Sequence, residues 1–500
     1  MKVKILSIGH AGFLLKTEDI NILIDPWFYP AFFNTWFPYP NNRFMGDVLL
    51  NEKIDYLYIS HEHEDHFDKK FLLNFDKNVK IILANFSSKI LTNELNELGF
   101  KNLIHLNDEE SFDLTDKIKC KMFLDNSHSE DSALLVDFDG FTFLDMNDCQ
   151  INLKSIPKVD VMTCQYSNAS WFPQCYDYDT TTMKNKISEL NNILKQKLVD
   201  KVKHSSPRYF IPSASPCVFL NPDMFHLIEE DTTFLKWRDD YWPTSVNNFF
   251  KETFPNIHVV ELTAGNSAEV DEKSIINKKT IFEPISDLVN ISSYSDIRKD
   301  EWDIDFVGNI DTEKLNTYFK NLMSDNLELV LCLKKNKRFV ISSDDKNYLI
   351  KLNHRIDKVV KEVDDDFYKK TKINYKIEIP SMILEKIINY ESDWETALLS
   401  MKLKLNRKDD VYDSDLFILL RSGHKPTQTK RYVSLSKKIN NVEMVNKGSY
   451  RFNRYCPHAG EDLSEVDVVD NCITCPRHHW KWNLNTGKCI RGGNINLTME

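Results

Sequence analysis

Glycine is scarce in this chain, with 13 residues in 500. So few exclude a collagen-like or glycine-rich polymer and point to a packed globular protein with little disorder. An excess of basic residues is also lacking. Lys and Arg total 64 against 75 Asp and Glu, a formal charge of −11, which argues against nucleic acid as a partner and leaves only local basic pockets for an anionic substrate. No long apolar run is present. The N-terminal MKVKILSIGHAGFLLKTEDINILIDPW reads as strands, neither a signal peptide nor a membrane span. Nor is there a dense cysteine framework: the ten Cys, at 120, 149, 164, 175, 217, 332, 456, 472, 475 and 489, are scattered. The expectation is reduced thiols or metal ligands in a cytoplasmic protein.

What is present needs more than one domain, because single cores stop growing well before 500 residues. Residues 1–60 alternate short β-rich runs (KVKILSIG, FLLKT, INILIDP, DYLYIS) with turns. Helical spacing marks KKFLLNFD, SKILTNELNELGF and the run from Thr180 to Val202, and IKCKMFLDN, SALLVDFDGFTFLDM and RYFIPSA read as strands. An α/β layered domain is expected over 1–265. From 266 to 425 the texture changes to α+β: VLCLKKNKRFVISSDDKNYLIKLN predicts paired strands, and PSMILEKIINYESDWETALLSMKLKL one or two amphipathic helices with Ser381 available as N-cap. A last segment, 426–500, opens on strand-like RYVSLSKK.

That last segment holds Cys456-Pro-His458 and, sixteen residues on, Cys475-Pro-Arg-His478. Two short loops with one thiolate and one imidazole each suit a two-iron cluster, the thiolates on one iron and the neutral imidazoles on the other, the Rieske arrangement. Zinc also accepts two Cys and two His, but a zinc finger would pair Cys with Cys. Gly460 and Pro476 fall where tight cluster loops are expected, and Trp480 follows the second loop. The stretch resembles Rieske ferredoxins and oxygenases. Cys472 and Cys489 stand at other offsets than the extra loop cysteines of respiratory-chain Rieske proteins, and His479 reads as a surface or supporting residue. Such a cluster moves single electrons and does no substrate chemistry itself, so an acceptor is needed.

The acceptor motif is YISHEHEDHFD, in which His61, Glu62, His63, Glu64, Asp65 and His66 follow an apolar strand. It matches the H-x-H-x-D-H signature of the metallo-β-lactamase fold. A strand-to-loop turn can aim His61 and His63 at one metal, Asp65 and His66 at a second, with a donor set suited to Zn, Fe or Mn. His10 in GHAGF and Asp25 in IDPW lie in the early strands, and Asp25 is expected behind the metal loop. His128 in DNSHSED is the natural next ligand, with Glu130 the alternative, and Asp148 in LDMNDC the natural bridge. The final His usual in this fold is not evident: its strand reads YFIPSASPCVFL, and His226 and His258 lie beyond it. One metal is therefore expected to have an open or unusual coordination sphere.

With both motifs in one chain, the sequence resembles the CMP-N-acetylneuraminic acid hydroxylase family, which joins a Rieske module to a metallo-β-lactamase-like domain. The resemblance is carried by LIDPWF, DYLYISHEHEDH, LDMNDC, DVMTCQYSNASWFP, RYFIPSASPCVFL and SDWETALLSMKLKLNRKDDVYDSDLF. The last of these is also similar to a sterol-carrier-like domain. In that family the Rieske module comes first, whereas here it is last, and the stretches YSNASWFP and PSASPCVFL differ from the animal enzyme. What the resemblance implies is an αββα metallo-β-lactamase-like sandwich, an accessory α+β region and an all-β Rieske domain. It further implies an iron-dependent oxygenase with a di-iron or other dinuclear centre, a [2Fe-2S] cluster and O2 as co-substrate. A small-molecule substrate, anionic or nucleotide-linked, and an external ferredoxin or flavoprotein reductase are the expected partners; nucleic acid and membrane are not, and a homo-oligomer stays open.

Three other readings compete. A zinc or iron hydrolase with a redox-sensing Rieske module accounts for residues 1–265, yet no hydrolysis needs an electron. An electron carrier leaves the intact HEHEDH without a use, and O2 or NO reduction as in flavodi-iron proteins lacks a flavin-domain signature. The aromatic-rich DPWFYPAFFNTWFPYPNNRF, residues 25–44, is either a packed loop or a lid over the metals, with Arg43 then meeting an anionic group.

Overall fold

The computed structural model describes residues 2–500 except 126–129, 153–154, 167–169, 215–216, 230–243, 272–273, 281–290, 333–336, 354–357, 411, 459, 477–478 and 492–494. The chain divides into two compact units, one of Met1–Ser170 and Thr180–Ile304, the other of Trp171–Asp179 and Asp305–Glu500.

The first unit is built on two sheets. Strands Val3–Gly9, Gly12–Lys16 and Asn21–Ile24 form an antiparallel meander, and Tyr56–Tyr58, Lys80–Ala84 and Leu103–Leu106 continue the same sheet in parallel. Because strand side chains alternate, Val3, Ile5, Phe13, Leu15, Ile22, Ile24, Tyr56 and Tyr58 face one core. Leu6, Ile8, Leu14, Leu23, Leu57 and Ile59 face the other, with Met45, Leu49, Phe71, Leu72, Leu91 and Leu95 from the covering helices. The first core is shared with the second sheet through Met122, Leu134, Val136, Phe138, Phe143, Val161 and Ile211. Each such side chain contributes about 1.5–3 kcal/mol by leaving water.

In the second sheet SALLVDFDGFTFLDM folds into a hairpin, Ser132–Phe138 against Phe141–Asp145, after Ile118–Leu124. Val161–Gln165 and Tyr209–Ser213 follow in parallel. The helix Thr180–Ser205 packs along Val161–Gln165. These layers are the metallo-β-lactamase-like sandwich expected from the sequence. The first sheet runs past residue 265, where a boundary was expected, because Asn266–Asp271 pairs with Val3–Gly9.

In the second unit five strands line up in the order Val360–Val363, Lys346–Leu352, Lys337–Ser343, Tyr375–Glu378, Lys404–Arg407. The expected helices are Ser381–Ile388 and Trp394–Leu399. The Ser381 hydroxyl is not an N-cap but accepts from Gly308 N–H at 2.8 Å, and the second helix is capped by Asp393 on Thr396 N–H. RYVSLSKK, read as a strand, lies in the helix Pro426–Asn440. Proline at its first turn suits a helix start, and burial of Thr429 and Val433, four residues apart, gives it a packed stripe. VLC, the start of the stretch read as paired strands, belongs to the helix Leu327–Cys332.

The C-terminal part is an antiparallel β domain: the hairpin Met444–Lys447 with Tyr450–Asn453, and four strands from Val468–Val469 to Cys489–Arg491. Its core holds Phe452, Leu463, Ile473, Trp482, Leu484 and Leu497, with Cys456 and Cys475 among them.

Candidate metal centre and cluster site

Parallel pairing of Asn21–Ile24 with Tyr56–Tyr58 brings two chain exits side by side, and Asp25 N–H donates to the Tyr58 carbonyl at 3.1 Å. The Asp25 carboxylate then accepts from Ser60 N–H at 2.9 Å and from the Ser60 hydroxyl at 2.6 Å. His66 Nδ1 lies 2.8 Å from Asp25 Oδ2. A carboxylate there requires the proton on Nδ1, so Nε2 is left as the donor atom, the expected work of a residue behind a metal ligand.

The HEHEDH loop turns tightly, with Phe67 N–H on the His63 carbonyl at 2.8 Å. Its far end is pinned by Asp68, which accepts from Phe71, Phe28 and Tyr29 N–H. His61 Nε2 and His63 Nδ1 are 2.8 Å apart. His66 Nε2 faces Asp65 Oδ2 at 3.8 Å and Asp148 Oδ1 at 3.7 Å. Among the described residues two donor groups result, His61, His66 and Asp148, and His10, Asp65 and His66, each with its ligand atoms within 4.8 Å of one another.

The second sheet holds the other wall. Ser132 donates to the Ser60 carbonyl at 2.7 Å, and Tyr58 hydroxyl and Ser132 Oγ are 2.9 Å apart. Asn147 anchors the loop after Phe141–Asp145 by donating to the Ser132 carbonyl at 3.0 Å and accepting from Asp148 N–H. Non-glycine residues around the site with left-handed backbones include His10 at φ 52°, Asp25 at 34°, Asn147 at 36° and Ala214 at 49°. Such conformations cost of order 1–3 kcal/mol each and persist where surrounding structure forces them.

Electrostatics favour a cation. Burial opposes a charged His66, yet the carboxylates of Asp148, Asp65 and Asp25 hold its pKa well above the usual range. Burial likewise works against Asp65 as an anion, but His66 and His10 hold its carboxyl well below the ordinary value. A field that stabilises an imidazolium there also stabilises a metal ion. Of the two aspartates in LDMNDC, Asp145 is fully buried, and burial and the Asp25 charge push its pKa well up. Asp148 is the one that reaches the histidines. Asp65 Oδ1 and Asp148 Oδ1 are buried and, among the described residues, have no hydrogen-bond partner, as expected of oxygens kept for a metal. The donor set therefore fits a dinuclear centre.

Of the expected ligands, His61, His63, Asp65, His66 and Asp148 come together; His128 lies outside the described residues. Glu130, its alternative, accepts instead from the Ser87 hydroxyl at 2.5 Å and Ser88 N–H at 2.8 Å, at the approach to the helix Ile90–Glu97. Two residues enter that were not expected as donors. Asp131 Oδ1 stands 3.3 Å from His61 Nδ1, and His10 Nε2 3.1 Å from Asp65 Oδ2. Asp131 was visible as the last residue of DNSHSED, one more carboxylate, while nothing in the spacing of GHAGF ties His10 to residue 65.

The aromatic stretch is packed. Trp27, Phe28, Phe32, Trp36, Phe37 and Tyr39 are all buried, and the Phe32 ring meets His63 at 6.1 Å between centroids. Arg43 is engaged by both carboxylate oxygens of Glu301, at 2.9 and 3.2 Å, and lies over the Tyr29 ring, which overturns its reading as an anion contact.

At the other site Cys456 and Cys475 are fully buried. Gly460, at φ 71°, closes the first loop by donating to the Cys456 carbonyl at 2.8 Å. Cys475 N–H donates to the Trp480 carbonyl at 2.8 Å, and His479 N–H to the Cys475 carbonyl at 2.9 Å. His458 stacks on Trp480 with centroids 4.1 Å apart and planes 10° from parallel. His479 is buried rather than on the surface. His478 lies outside the described residues. Cys472 and Cys489 sit in sheet strands.

Residues 4–134 match the model of a β-lactamase superfamily domain, and residues 425–496 that of a Rieske [2Fe-2S] domain. The chain is thus a metallo-β-lactamase-fold protein with a C-terminal Rieske domain. A relative from Mycolicibacterium smegmatis, described as a Rieske 2Fe-2S iron-sulfur protein, is 25% identical over 98% of both chains. The cytidine monophosphate-N-acetylneuraminic acid hydroxylase of Pongo pygmaeus is 26% identical over 61% of this chain and 52% of its own, in keeping with the resemblance carried by the motifs. Among solved structures, CmlA, a diiron beta-hydroxylase from Streptomyces venezuelae, aligns over 54% of this chain and 53% of its own at TM-score 0.35 and 16% identity. Among the described residues no helix is long and apolar enough to cross a membrane.

Proposed function

We propose that the chain is a Rieske-coupled, iron-dependent oxygenase that hydroxylates a small metabolite, anionic or nucleotide-linked, with electrons from an external ferredoxin or flavoprotein reductase. The overall change is RH + O2 + 2 e− + 2 H+ → ROH + H2O. What supports this above all is the occurrence, in one chain, of a largely buried donor set suited to two metals and a Rieske domain. Hydrolysis uses only the first. The hydroxylase named among the relatives points the same way.

His61, His63, Asp65, His66 and Asp148, with His128, would hold two irons, and Cys456, His458, Cys475 and His478 the [2Fe-2S] cluster. When bound, the iron pair supplies O2 activation and the cluster supplies electrons one at a time. The chain's own residues do the rest. Asp25 holds the proton on His66 Nδ1, and Ser60 ties that carboxylate to the loop backbone. The strained turns at residues 10, 25, 147 and 214 fix the donors before any ligand arrives. Phe32, itself buried, packs between Trp36 and the His63 ring and holds that imidazole in place.

Elemental analysis of the purified chain, with the electron paramagnetic resonance spectrum after dithionite reduction, tests this. About four irons with a Rieske signal is the expected result. About two irons plus zinc would move the first unit to hydrolysis and sink the oxygenase.

A further inference from the structure

We infer that His10 is a metal ligand, and that it stands in for the final histidine the second sheet does not provide. This rests on the dinuclear site proposed above, though not on which metal fills it.

Three observations converge. Two imidazole nitrogens face one carboxylate oxygen: His10 Nε2 is 3.1 Å and His66 Nε2 3.8 Å from Asp65 Oδ2. Three donors around a common point are what a metal ion needs, and without one two imidazoles and a carboxylate have little reason to converge in a buried pocket. Second, the strand Tyr209–Ser213, after which the usual histidine was sought, ends at Ala214, whose N–H donates to the His10 carbonyl at 3.0 Å. The backbone of the second sheet thus holds the turn that carries His10, so the imidazole enters from the first sheet at the place left by the missing side chain. Third, that turn is built to present it. His10 has φ 52°, Gly9 has φ 107°, and a Cβ on Gly12 would lie 2.9 Å from Ile8 Cβ and 3.1 Å from the Asp25 carbonyl oxygen. The Trp27 ring meets the imidazole edge-on at 4.9 Å and sets its tilt. A non-glycine residue in the left-handed region persists only where the surrounding structure forces it.

The competing role is a hydrogen bond from His10 that merely orients Asp65. Full-length His10→Gly separates the two, because glycine accepts the turn without strain and leaves a space that free imidazole can enter. Total metal of any kind, beyond the two irons of the cluster, is counted under a graded chelator challenge, with the Rieske resonance as the integrity control. Expected is the loss of one of the two non-cluster equivalents at a chelator level at least about 10–100-fold below that needed by the parent, with recovery on adding imidazole. His10→Asn, which keeps a donor near Asp65, should lose the same equivalent. Equal retention of both equivalents in His10→Gly, or retention in His10→Asn, would overturn the ligand role. If His10→Gly lost the Rieske resonance, His10→Asn alone would decide. Zinc in place of iron would remove the oxygenase reading and leave this result intact.

Discussion

The two sites of this chain are assembled in opposite ways. At the Rieske end the candidate sulfur and imidazole donors stand two or three residues apart in the sequence, Cys456 with His458 and Cys475 with His478. At the metal pocket only HEHEDH is local; Asp148 follows the hairpin of the second sheet, Asp25 an early strand, and His10 a turn 55 residues before Asp65. A site made of neighbours in sequence depends on loop closure, a site made of strand exits on the register of two sheets. The first should fail all at once when a ligand is lost, the second by degrees.

Changing one buried thiolate should therefore give the largest effect. Cys475→Ala is expected to abolish the Rieske resonance and remove about two irons, while the equivalents held by the first unit stay. Loss of both sets together would mean that the two sites do not assemble independently. Asp25→Asn comes next. It keeps the size of the side chain but removes the charge behind His66, and metal affinity in chelator competition should fall about 10–100-fold with the Rieske signal unchanged. Gly12→Ala strikes the turn itself, with the new methyl against Ile8 and the Asp25 carbonyl. About 1–3 kcal/mol of destabilisation is expected in denaturant unfolding of the first unit, and no change would show that the turn is loose. Tyr58→Phe should be the mildest. It removes one buried hydroxyl contact to Ser132, worth about 0.5–1.5 kcal/mol, and tests how firmly the second sheet holds the HEHEDH loop.

Much was legible without coordinates where the signal is local. The β-rich runs KVKILSIG and INILIDP marked strands whose two faces enter two different cores, and the spacing in HEHEDH marked side chains that do converge, His61, Asp65 and His66 among them. RYVSLSKK misled because its apolar residues suit a short strand as well as a helix; the proline before it and the buried stripe favour the helix. Ser381 looked like a cap and instead accepts from Gly308, a partner 73 residues away. Arg43 looked free for an anion until Glu301, 258 residues on, was found beside it.

By itself, then, the amino-acid order marked the layered α/β class, the Cys/His spacing near the C-terminal end and the HEHEDH run as candidate donors. These follow from short β-rich and helical runs and from short ligand spacing, all local properties. Tertiary structure alone decided that Asp131 reaches His61, that Glu130 is spent on Ser87 and Ser88, and that His10 meets Asp65. The reason is strand pairing: register brings together chain exits whose separation along the sequence carries no mark of their meeting.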